Sequence, residues 1–182
     1  MKKVLVVVDM QKDFVDGALG SNEAVAIVDN VVNKINEYKE NRYLIITTQD
    51  THYSDYLKTL EGRKLPIVHC IANSDGWQLD KQVYDSLKDY DNKINFTKIT
   101  FGSMKLVDYL KTVISKENET EYIIELIGLD LDICVVSNAL LLRAYFPNTN
   151  ICVDTKCTAA TSKSAFESAK IVLKSCQVDL NE

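Results

Sequence analysis

Tyr122-Ile123-Ile124-Glu125-Leu126-Ile127-Gly128-Leu129-Asp130-Leu131-Asp132-Ile133-Cys134-Val135-Val136-Ser137-Asn138-Ala139 is a strand that turns into a helix. The apolar run Tyr122 to Ile127 predicts the strand, Gly128 breaks it, and Ile133 to Tyr145 predicts a helix that stops near Pro147. A thiol, Cys134, then falls in the first turn of a helix, where unpaired backbone N–H groups and the positive end of the helix dipole meet. Both favour a thiolate, the form of cysteine that attacks carbonyl carbon. A lone cysteine is equally a small buried apolar side chain. The rest of the chain decides between the two.

The same alternation runs outward from this segment. Lys3 to Val8 predicts a strand buried on both faces. Asn22 to Glu40 predicts a helix, with Val25, Val28, Val32 and Ile35 spaced three or four apart. Tyr43 to Thr48 is a second strand and Asp50 to Gln78 a long loop rich in turn formers and polar side chains. Ile94 to Thr97 is a short third strand, and Ser103 to Ser115 a helix with Leu106, Leu110 and Val113 on one face. Asn150 to Asp154 is a fifth strand, Lys163 to Lys174 a helix, and a sixth strand begins near Val178. Strands alternating with helices imply βαβ units. The expected fold is α/β: a three-layer αβα sandwich around a mostly parallel six-stranded sheet, one domain over residues 1–182.

Composition narrows the function. A net charge of −5 with no basic block argues against nucleic acid as a partner. The apolar run after Met1-Lys2-Lys3 is too short for a signal peptide or a membrane span, so no membrane association is expected. Five cysteines, an odd number without CxxC spacing, read as reduced thiols of a cytoplasmic protein.

In such folds ligands bind beyond the carboxyl ends of the strands. The first strand ends at Asp9, the second at Asp50 and His52, the third at Lys98, and the fourth leads to Cys134. Each of these is ionisable. As a set they form a chemical proposal: Asp9 takes the thiol proton and returns one to a leaving amine. Lys98 offsets the repulsion between carboxylate and thiolate, and backbone N–H groups between Asp130 and Cys134 receive the oxyanion. Taken singly, Asp9 is also a turn residue and Lys98 also a solvated strand end.

The only two histidines lie in the long loop. Asp50 and His52, two apart in extended chain, project to one side, and His69 follows in Leu65-Pro66-Ile67-Val68-His69-Cys70. Two imidazoles and a carboxylate suit a divalent metal: Zn²⁺ first, with Mn²⁺ or Fe²⁺ as alternatives. Surface or capping histidines are the plainer reading. Phe14 and Phe101 are candidates to flank a flat ring, or else core residues, and Trp77 lines the pocket or supports its loop.

With these residues assembled, the chain resembles the isochorismatase-like cysteine hydrolases, and within them the nicotinamidase-like branch. Asp9-Met10-Gln11-Lys12-Asp13-Phe14 matches the opening D-x-Q-x-D-F, Lys98 lies at the lysine position, and Gly128 to Cys134 is similar to G-x-x-T-D-x-C. The resemblance covers essentially the whole chain. It implies an Asp9–Lys98–Cys134 triad, a thioester intermediate, and a cis peptide carried by position to Leu129-Asp130. Leu131 and Asp130 depart from the threonine and the small residue found there. The pattern D-x-H followed by H-C, here Asp50, His52, His69 and Cys70, is that of nicotinamidases, whose metal receives the pyridine nitrogen. Glu61 resembles a fourth ligand found in some members. One residue more than usual separates Pro66 from His69, and Leu65 stands where a tryptophan is common, which puts strict nicotinamide preference in question.

The expected activity is hydrolysis of nicotinamide to nicotinate and ammonia, a step of NAD metabolism and pyridine nucleotide salvage. The nearest alternative is a related cysteine amidase acting on another small amide or on a ureido or carbamoyl compound. A silent metal- or ligand-binding protein is the alternative from another class. Relatives often self-associate, so a homo-oligomer is expected, with the helix Val135 to Leu142 available to core or interface.

Overall fold

The computed structural model describes residues 1–182. Six strands form one sheet: β1 (Lys2–Val8), β2 (Leu44–Asp50), β3 (Lys93–Lys98), β4 (Tyr122–Gly128), β5 (Asn150–Thr158) and β6 (Asp179–Asn181). Their order is β3-β2-β1-β4-β5-β6, and every pairing is parallel. The expected mostly parallel six-stranded sheet is present, and its pairing is parallel throughout. Eight α-helices connect them: α1 (Lys12–Val15), α2 (Asn22–Ala26), α3 (Val28–Glu40), α4 (Leu60–Lys64), α5 (Lys81–Leu87), α6 (Met104–Val113), α7 (Val136–Tyr145) and α8 (Lys163–Ser175).

Strand alternation divides the interior into two cores. Val4, Val6 and Val8 of β1 join Leu106 and Leu110 of α6, Leu142 of α7 and Leu173 of α8 in one. Leu5 and Val7 face the other way, onto Val31 and Ile35 of α3 and Val83 of α5. β1 is therefore apolar from Val4 to Val8 because both its faces are covered there. The connections run outward from β1 on one side and from β4 on the other, so the strand order reverses between these two. The carboxyl ends of β1 and β4 flank the crevice where such sheets bind ligands.

Several boundaries differ from expectation. The helix Asn22 to Glu40 is two helices, divided at Ile27, and Ser21 caps the first by accepting the Ala24 N–H at 3.0 Å. The loop Asp50 to Gln78 contains a 3₁₀ turn at Tyr56–Lys58 and then α4, capped by Thr59. α5, capped by Asp80, was not anticipated. The helix expected from Ile133 begins instead as a π-type turn, Leu131–Val135, and becomes α7 at Val136. Val135, Ala139 and Leu142 are buried in the chain's own core.

Two glycines are fixed by close approach. Gly128 ends β4 at φ 107°, and a Cβ there would lie 2.1 Å from the Val8 carbonyl oxygen. A Cβ on Gly76 would lie 2.2 Å from the Asp13 carboxylate. Both positions allow backbone to close around the site.

Candidate active site and metal centre

Four strand ends deliver the site. β1 ends at Val8, and Asp9 turns out of the sheet at φ 48°, a left-handed conformation that aspartate tolerates better than most residues. Its N–H donates to the Thr48 carbonyl at 3.1 Å, and the Thr48 hydroxyl donates to Asp9 Oδ1 at 2.7 Å. Lys98, the last residue of β3, places Nζ 2.6 Å from Asp9 Oδ2, 3.6 Å from Asp50 Oδ1 and 3.5 Å from Cys134 Sγ. All four side chains are buried. The structure thus brings the three expected catalytic residues together around one ammonium group.

The thiol is carried by the π-type turn. The Asp130 carbonyl accepts the N–H groups of Ile133 and Val135 and passes over that of Cys134. The turn is anchored to the segment just after β5: the Leu131 N–H donates to the Ala159 carbonyl, and the Asp132 carboxylate accepts the N–H and hydroxyl of Thr161. The peptide Leu129-Asp130 is cis, at the position the resemblance implied. Asn138, fully buried, donates to the carbonyls of Cys134 and Phe101 and accepts the Ser103 N–H, which ties the Cys134 turn to the loop after β3.

Electrostatics correct one expectation. Helix dipole and lysine were expected to favour a thiolate, but burial, reinforced by the Asp9 charge, pushes the Cys134 thiol well above its ordinary value, and Lys98 only partly opposes this. Burial also raises Asp9, with the Asp50 charge adding to it and Lys98 working against it. Burial alone would lower Lys98, yet Asp9, Cys134 and Asp50 outweigh it and hold the ammonium charged.

The histidine cluster lies alongside. His52 pairs in parallel fashion with Ile71, its N–H donating to the Cys70 carbonyl at 2.9 Å. That bridge folds the long loop back so that His52 and His69 meet, ring centroids 4.8 Å apart. Asp50 Oδ2 lies 2.9 Å from His52 Nε2 and 3.6 Å from His69 Nε2, and Glu61 Oε1 lies 3.5 and 3.9 Å from the same two nitrogens. The donor atoms of Asp50, His52, Glu61 and His69 all fall within 4.8 Å of one another. Burial would raise Asp50, but His52, His69 and Lys98 outweigh it and hold the carboxylate well below its usual range.

These residues fit a metal ion. His52 Nε2 is buried with no hydrogen-bond partner of acceptable geometry. His69 Nδ1 lies 2.7 Å from the Ile67 carbonyl; donating there, it turns the Nε2 lone pair toward the carboxylates, the arrangement usual for metal-bound histidines. Glu61, largely buried on α4, joins the set through the turn of that helix rather than through sequence spacing.

Three supporting residues had no role assigned from sequence. Gln11, fully buried, accepts the Asp50 N–H at 2.7 Å and donates to the Asp50 carbonyl at 2.9 Å, fixing the backbone of that candidate ligand. Asp13 accepts the Cys70 N–H at 2.7 Å and holds the segment just after His69. Thr48 orients Asp9. The first two stand in the opening motif quoted above, which was the available signal; nothing in the sequence singles out Thr48. Of the two candidate ring-flanking residues, Phe101 is 46% exposed and lines a cavity of about 670 Å³ together with His52, Tyr56, Glu61 and Ile133. Phe14 does not line it; buried, it packs against His69 with ring centroids 5.5 Å apart. Trp77 supports the loop, its indole N–H donating to Thr51.

The family model described as Isochorismatase domain matches residues 3–178. The chain belongs to the isochorismatase family. No curated protein matches it by sequence. Among solved structures it is similar to a nicotinamidase/pyrazinamidase from Bacillus subtilis, at 22% identity and TM-score 0.83 over 100% of both chains. A pyrazinamidase of Pyrococcus horikoshii in complex with zinc superposes at TM-score 0.81 with 22% identity, over 99% of this chain and 98% of that one. An N-carbamoylsarcosine amidase from Thermoplasma acidophilum gives 0.80 and 22%, over 100% and 96%. At these identities the likeness establishes the fold. No helix is long and apolar enough to cross a membrane.

Proposed function

We propose that this isochorismatase-family protein is a cysteine-dependent amidohydrolase that converts nicotinamide to nicotinate and ammonia. The observation that carries the reading is Lys98 Nζ, buried between Asp9 Oδ2 at 2.6 Å and Cys134 Sγ at 3.5 Å. A silent binding protein has no use for an acid, an ammonium and a thiol closed off from water together.

The resting thiol loses its proton to Asp9 as sulfur bonds to the carboxamide carbon. The N–H of Cys134, which the Asp130 carbonyl does not accept, is a candidate donor for the resulting oxyanion, and the Asp130 N–H is the second candidate. Asp9 passes the proton to nitrogen, ammonia leaves, and a thioester remains. Water, deprotonated by Asp9, attacks the thioester carbon, and the acid leaves as Cys134 regains its proton. Lys98 keeps its charge throughout and limits the repulsion between Asp9 and the developing sulfur anion.

Asp50, His52, Glu61 and His69 would hold a divalent metal, zinc being the ion named with one similar structure. When bound, it supplies a cationic contact for a pyridine nitrogen. This side-chain set favours nicotinamide over a carbamoyl amide, which has no ring nitrogen to place there. The reading puts the protein in pyridine nucleotide salvage. Its test is ammonia release by the zinc-repleted protein from nicotinamide and from N-carbamoylsarcosine. A higher kcat/KM for nicotinamide is expected; preference for the carbamoyl compound would move the protein to the other kind of amidase.

A further inference from the structure

The cavity that opens from the histidine cluster is larger than a pyridine carboxamide needs. Its volume is about 670 Å³, whereas a dry cavity of about 150 Å³ accommodates a benzene ring. A volume on the order of 300–1,000 Å³ is the range that holds ligands of several rings. Its outer wall is apolar and uncovered: Leu60 is 64% exposed, Ile99 66%, Phe101 46% and Leu65 36%. Large apolar side chains gathered in one concave surface mark a binding site. The wall is continuous with the metal centre, since His52 and Glu61 line the same cavity. Lys64 and Asp55, of opposite sign, also line it and give no preference for a charged group.

We propose that this wall is a subsite for an uncharged apolar arm, and that the preferred substrate is an aromatic primary carboxamide carrying such an arm. Nicotinamide is then the minimal core of the substrate. The proposal rests on the reading that Cys134 cleaves a carboxamide whose ring faces the histidine cluster. Leu60 and Leu65 come from α4 and its C-terminal end, so the element that brings Glu61 to the metal centre also builds the arm site.

The test compares ammonia release from nicotinamide, 5-phenylnicotinamide and 6-phenylnicotinamide by the zinc-repleted full chain and by Leu60→Asp and Ile99→Asp. Both positions are well exposed, so neither change threatens folding. At least one phenyl derivative is expected to exceed nicotinamide in kcat/KM by about tenfold or more, mainly through KM. Each variant should return that ratio to near one. Two slower phenyl derivatives, with nicotinamide still hydrolysed, would overturn the subsite and leave the proposed activity standing. No ammonia from any of the three would overturn both. A phenyl preference insensitive to both substitutions, with a dimer that Leu60→Asp dissociates in sedimentation, would assign the wall to a second copy of the chain and overturn the subsite.

Discussion

Asp130 shows how far one side chain can be read. In sequence it is a departure from the small residue of related nucleophile turns. In the structure burial, with the charges of Asp132 and Asp9, pushes its carboxyl from 3.8 up to about 7. A folded value above the unfolded one means that the native state keeps its proton longer as pH rises. Between about pH 4 and 7 the unfolded chain ionises first, so stability falls across that window and levels off above it. Asp130→Asn removes the penalty. We expect the variant to gain on the order of 1–4 kcal/mol over the wild type between pH 4 and pH 8, measured by urea denaturation at each pH. Parallel pH profiles for the two proteins would place the carboxyl in contact with water. Cys134 teaches the opposite lesson. Its position was legible from the strand-to-helix switch, but its protonation was not, because burial and the Asp9 charge are properties of the assembled site and outweigh the local dipole.

Among the elements, strands were the most legible, since β-branched runs such as Val4 to Val8 admit little else. Their ends were less so. β2, β3 and β5 run on to Asp50, Lys98 and Thr158, because polar residues there are held by neighbours and by site contacts instead of by a core. α5 was missed for its brevity, and α4 because its worth lies in placing Glu61. Gln11 joins the exit of β1 to the exit of β2. Gln11→Leu leaves the Asp50 N–H and carbonyl without their partner and frees that ligand to shift. Zinc affinity is expected to fall about 10–100-fold in a chelator-competition titration, with the far-ultraviolet spectrum unchanged. An unchanged affinity would limit Gln11 to packing.

At the scale of the molecule, sheet order decides where chemistry happens. The order reverses between β1 and β4, and Asp9 and the Cys134 turn leave the sheet on either side of that point. The three-layer arrangement and the triad followed from periodicity and strand ends. The joining of His69 to His52 came from the motif and not from periodicity, since it depends on the bridge between His52 and Ile71 across the long loop. If that loop is braced by a metal, the ion should stabilise the whole fold by mass action. Zinc at about 100 times its dissociation constant is expected to raise Tm by roughly 5–10 °C. His69→Ala should abolish the rise. An equal rise in that variant would mean that zinc binds elsewhere.

The triad itself is tested most directly by the turnover of Cys134→Ala. Removing a nucleophile of this kind costs on the order of 10³-fold or more. With nicotinamide as substrate, the wild type should release ammonia steadily, and the variant, still folded, should fall below it by at least that factor. A variant that keeps a rate within tenfold of the wild type would contradict covalent catalysis by this sulfur, and with it the roles given to Asp9 and Lys98.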